Sequence, residues 1–95
     1  MAATAEELTI SYSEGGVEIV KELDKRILSK GSWTTILYRY QDWDARKQEY
    51  SKDKYSIRRY QKRGGEFRQQ SKFNISSPDQ ARQIVAALNE WLADT

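Results

Sequence analysis

Hydrophobic and polar positions alternate through most of residues 17–76, and only the last segment changes period. Val17, Ile19, Leu23 and Ile27 share one parity, with Lys21 and Lys25 as exceptions, which predicts a half-buried strand. Lys30-Gly31-Ser32 is a turn signal. Residues 33–44 are dense in β-branched and aromatic side chains and predict a second strand. Residues 45–52 are polar and read as a loop. Alternation resumes over residues 54–62, and Gly64-Gly65 suits the positive φ of a tight hairpin. Residues 66–76 give a fourth strand, with Phe67, Phe73 and Ile75 on one parity and Arg68, Gln70 and Lys72 on the other.

Helical spacing begins at Ser77. Ser77 is a good N-cap, Pro78 fits the first helical position, and Gln80 completes a capping box. Ala81, Ile84, Val85, Leu88, Trp91 and Leu92 then fall on one face. The expectation is an α+β domain over residues 17–95, a four-stranded antiparallel meander followed by one C-terminal amphipathic helix (β-β-β-β-α). The helix is expected to cover one face of the sheet and leave the other open. Residues 1–16 are small, polar and acidic and read as a disordered tail.

Composition narrows the chemistry. Ninety-five residues make one small domain, and only 38% of them are hydrophobic, so the core is modest and dimerisation is expected to enlarge it. The chain has neither Cys nor His, which removes disulfides, thiolate metal sites and the commonest general base. No cofactor and no metal are expected. With no long apolar run and no leader-like N-terminus, the expectation is a cytoplasmic or nuclear protein that is neither membrane-bound nor secreted.

Charge is strongly polarised. Residues 1–24 carry one Lys against six acids (−5), residues 25–72 fourteen Lys and Arg against five acids (+9), and residues 73–95 one Arg against three acids (−2). A concentrated positive block attracts polyanions, nucleic acid first. Alternation puts Arg58, Tyr60 and Lys62 on the same side as Arg68, Gln70 and Lys72, away from the expected helix. Tyr38-Arg39-Tyr40-Gln41 echoes Arg58-Arg59-Tyr60-Gln61 twenty residues on. If the echo reflects placement, Tyr38 and Tyr40 face outward too, although either parity of residues 33–44 fits a core. Cations interleaved with rings on a flat sheet suit single strands, with cations on phosphates and rings on bases. The candidate site is therefore Arg58, Tyr60, Lys62, Arg68, Gln70, Lys72, Tyr38, Tyr40 and Arg39, with Trp91 and Leu92 as the candidate dimer contact.

Ile57-Arg58-Arg59-Tyr60, Gly65-Glu66-Phe67-Arg68, the stretch from Lys72 to Asn74, and Ser77-Pro78-Asp79-Gln80 together resemble the single-strand-binding domain of the transcriptional coactivator positive cofactor four. The resemblance covers residues 54–92. Where that family has Trp after Ile-Arg-x-Tyr, this chain has Gln61. The resemblance implies a homodimer that binds single-stranded DNA, or RNA, in transcription or genome maintenance, and it carries over Arg58, Tyr60 and Arg68.

Two rival readings exist. A protein-interaction or dimerisation module would present the helix and touch no nucleic acid. An enzyme is not expected, but Asp42 and Asp44 share a strand face and would be the carboxylates of a Mg²⁺-dependent nuclease.

Overall fold

Two glycine pairs turn the chain back on itself. Gly15-Gly16 (φ 60° and 80°) and Gly64-Gly65 (57° and 82°) adopt the left-handed backbone that other residues resist, so each pair closes a two-residue hairpin. The computed structural model describes residues 4–95 and is an α+β fold, a curled antiparallel sheet with one C-terminal helix. Its strands are β1 (Tyr12–Glu14), β2 (Val17–Ser29), β3 (Trp33–Asp44), β4 (Glu49–Tyr50), β5 (Lys54–Arg63) and β6 (Glu66–Ile75); helix α1 is Pro78–Leu92. The sheet order is β1-β2-β3-β5-β6, with β4 paired to the end of β3. The four long strands form the expected meander. The short strands β1 and β4 are additions, one from the expected tail and one from the expected loop.

The core lies on one face, here called inner. Ile36, Tyr38 and Tyr40 of β3 and Tyr60 of β5 project there, with Val20, Ile27 and Phe67 packed at their edge. Leu8 and Ile10, each only 7% exposed, complete the cluster. The N-terminal segment is therefore part of the core and not a tail; Met1 to Ala3 of that expectation lie outside the described residues. A single 3₁₀ turn, Ala5–Glu7, starts the segment. Polar contacts to β2 hold it: the Lys25 ammonium donates to the carbonyls of Glu6 (2.6 Å) and Leu8, and the Glu22 carboxylate accepts from the Thr9 hydroxyl (2.8 Å). Glu6 also pairs with Lys30.

Helix α1 departs most from expectation. Ser77 caps it as predicted, accepting from the Gln80 N–H at 3.1 Å, and Gln80 answers by accepting from the N–H of Ser76. Yet α1 buries no residue and does not cover the sheet. The inner face is already filled by Leu8 and Ile10. On the opposite, outer face a groove lined by Tyr55, Pro78, Ala81 and Val85 separates the helix from the strands. Val85, Leu88, Trp91 and Leu92 are all exposed. Among the described residues no helix is long and apolar enough to cross a membrane.

Candidate nucleic-acid interface

Strand pairing decides which candidate side chains meet. Thr34 lies opposite Tyr60, Ile36 opposite Arg58, and Tyr38 opposite Ser56, so all six share the inner face. The echo between the two Tyr-containing segments is thus a true equivalence of facing. It is an equivalence of burial, however, and not of exposure. Tyr38 is fully buried, and Tyr60 and Tyr40 are 5% and 7% exposed. The hydroxyls of Tyr38 and Tyr60 share a hydrogen bond of 2.9 Å. Burial pushes the Tyr38 hydroxyl far above its ordinary value of 10.0, and the bond to Tyr60 adds to the shift. Burial also raises Tyr60 and Tyr40. With Leu8 and Ile10 packed over them, these rings offer no face to a base. The expected stacking surface at Tyr60 is core, because the segment read as a tail covers it.

The cations at the margin of this face remain accessible. Arg58 is fixed by Ser56 Oγ and Gln69 Oε1, both at 3.2 Å. Lys72 lies opposite Arg58, and the Lys62 ammonium stands 5.5 Å above the Phe67 ring.

Arg39 and Arg68 are on the outer face. A β-bulge separates Arg68 from Lys72: Arg59 pairs with Ser71 but Tyr60 pairs with Gln69, leaving Gln70 as the extra residue. The bulge sends Phe67 inward and Phe73 outward, although the two share a parity in the sequence. Arg39 is committed to Asp53, its Nε 2.6 Å from the carboxylate. That contact, with a second from Gln41, holds the Asp53 carboxyl below its ordinary range. Arg68 reaches Glu66 only at 3.6 Å, and its carbonyl accepts from the Gln70 side chain. The nine candidates therefore do not form one surface: Arg58, Lys62 and Lys72 flank one face, Arg39 and Arg68 lie on the other, Gln70 sits in the bulge, and the three tyrosines lie beneath the first face.

Three residues outside the candidate set complete the picture. Trp33 is 42% exposed on the outer face, and the Arg59 guanidinium stacks 4.5 Å from its ring centroid. Gln61 lies opposite both Trp33 and Arg68, and its Oε1 accepts from Arg63 Nε at 3.0 Å. Period two alone shows that Arg58 and Arg59 must point to opposite faces, so a cation on each side was readable. The pairing with Trp33 was not, because it depends on the β3–β5 register.

Strands β5 and β6 hold seven Lys and Arg and a single acid, Glu66. Among the described residues only Lys54 (to Asp42, 2.9 Å) and Arg68 form ion pairs there. Arg58, Arg59, Lys62, Arg63 and Lys72 have no carboxylate partner among the described residues. Elsewhere Arg26–Asp24 and Arg82–Asp79 are ion pairs, while Lys21, Arg46, Lys47 and Lys52 form none among the described residues. Asp42 and Asp44 are also engaged, Asp42 by Lys54 and Asp44 by the N–H groups of Arg46 and Lys47. No group of three metal-ligating side chains occurs among the described residues. No protein-family model, curated protein or solved structure matches this chain.

Proposed function

We propose that the chain binds single-stranded nucleic acid along the β5–β6 hairpin, as a homodimer. The observation that carries this reading is the set of five cations without carboxylate partners on one hairpin. Unmatched cations repel one another, and a polyphosphate backbone is a ligand that relieves several of them at once. Single strands are favoured over duplex by shape: the curled sheet offers no helix for a major groove, and α1 carries acids on its polar face (Asp79, Glu90, Asp94). The resemblance to positive cofactor four places DNA ahead of RNA.

A second copy is the partner that completes the fold. The outer face carries an apolar row, Leu37, Ile57 and Phe73, joined by strand pairing, and α1 presents a second apolar stripe to solvent. Two-fold symmetry lets the helix of each copy cover half-buried Leu37 and Ile57 and exposed Phe73 of the other.

Fluorescence anisotropy of labelled single-stranded and duplex oligonucleotides tests the binding. With about five phosphates neutralised, log K for the single strand falls against log salt with a slope of roughly −3.5. Arg63→Ala should flatten that slope by about 0.7. Equal affinity for duplex and single strand, or a slope near zero, would overturn the reading.

A further inference from the structure

Packing does not account for Trp33. It stands at the start of β3 on the outer face, 42% exposed, with Thr35 as its neighbour along the strand and Gln61 directly across. None of these covers an indole. Against it lies the Arg59 guanidinium, 4.5 Å from the ring centroid and itself without a carboxylate partner among the described residues.

We propose that the Trp33–Arg59 stack is the subsite where an unpaired base of the bound strand docks; this rests on the single-strand reading above and adds the ring that reading lacks. Indole is the strongest cation–π partner, and guanidinium is planar and weakly hydrated. Held flat against Trp33, Arg59 extends the indole by one more plane, on which a base can stack through its π-face whatever its identity. Gln61 lies beside the stack. Its carbonyl oxygen is occupied by Arg63, so its amide NH₂ is left to donate to a base or sugar oxygen. Arg63 and Arg68, on the same face, are placed for the flanking phosphates. A base inside a duplex has both faces covered by its neighbours, so this subsite takes only a splayed base.

The site also lies on the face opposite the buried tyrosines. Binding there needs no displacement of Leu8 or Ile10, and it divides the cations between the two faces of one hairpin. The strand then contacts Arg59, Arg63 and Arg68 on the outer face and reaches Lys62 past the turn at Gly64-Gly65.

Three full-length variants, titrated with labelled oligothymidylate over a range of salt, test the subsite. Trp33→Ala should weaken binding roughly 5- to 150-fold with an unchanged salt slope, since stacking releases no counterions. Trp33→Phe should recover most of that loss. Arg59→Lys keeps the charge and removes the plane, so affinity should fall while the slope stays. Arg59 is exposed, so this variant carries the test should Trp33→Ala fail to fold. Parent-like binding by both Trp33→Ala and Arg59→Lys would remove the subsite and leave the single-strand reading standing. A Phe variant as weak as the Ala variant would likewise overturn it. A parent protein with no affinity for the oligonucleotide would overturn both.

Discussion

The Tyr38 and Tyr60 hydroxyls place two polar atoms within the core cluster, and each satisfies the other. Such a pair is stable only while neutral. Tyr38, Tyr40 and Tyr60 all lose protons less readily in the folded chain than the ordinary value of 10.0, with burial the largest cause for each. The folded state therefore holds more protons than the unfolded state once the pH passes about 10. Stability contributed by these groups is complete below that point and is lost as pH rises through the folded-state values. Urea midpoints measured at rising alkaline pH should fall steeply in the parent and less steeply in Tyr38→Phe. Tyr38→Phe should also cost about 0.5–1.5 kcal/mol near neutral pH, from the lost hydrogen bond. Identical pH dependence in the two proteins would show that the buried pair does not govern alkaline unfolding. The same burial limits how the binding surface was legible. Residue type and parity placed Tyr38, Tyr40, Arg58 and Tyr60 together correctly, but whether a shared face meets water or core depends on what lies over it.

Elements were legible where local chemistry specified them. Gly64-Gly65, the Ser77–Gln80 cap and the four long strands follow from turn propensity, capping and period two. Gly15-Gly16 carried the same signal as Gly64-Gly65, and the alternation of Leu8, Ile10 and Tyr12 preceded it, so the β1–β2 hairpin was readable although the acidic composition argued for a tail. Bulges were not readable. Leu23 and Leu28 fall where the β2–β3 register shifts, and Gln70 is the extra residue of β6, so parity fails across each. Leu23 and Leu28 are exposed as a result, at 37% and 57%. The N-terminal segment is the element whose role is most directly testable. Leu8→Ala should lower stability by about 2–5 kcal/mol, as for a buried leucine whose neighbours relax only in part. A change within about 0.5 kcal/mol in urea unfolding would mean that the segment lies on the surface.

At the scale of the whole molecule, charge and apolar surface meet on one hairpin. Five cations without carboxylate partners among the described residues lie on β5–β6, whose outer face also carries half-buried Ile57 and exposed Phe73, and α1 presents four more exposed apolar side chains. The helix was legible from its period, but its destination was not, because an amphipathic stripe states that a face is to be covered without stating by what. In the isolated chain nothing covers it: Trp91 is 69% exposed, Leu92 59% and Val85 55%. A helix of 15 residues with no packed face is marginal in water, since helices of this length depend on tertiary contacts for most of their stability. Covering it with a second copy supplies those contacts and brings two basic hairpins into one particle. Light scattering should accordingly give twice the 11.1 kDa chain mass for the parent. Trp91→Glu buries no charge in the single chain, yet it places a carboxylate within the proposed interface, so it should give the single-chain mass and a lower α-helical circular dichroism signal. The charged variant also separates the two halves of the functional reading. A short oligonucleotide that spans one hairpin should bind it about as well as the parent. A longer one that engages both hairpins should bind it more weakly, because the second contact is no longer intramolecular. A parent protein that already has the single-chain mass at tens of micromolar, with α1 fully helical, would show that the helix is stable uncovered and would refute the dimer.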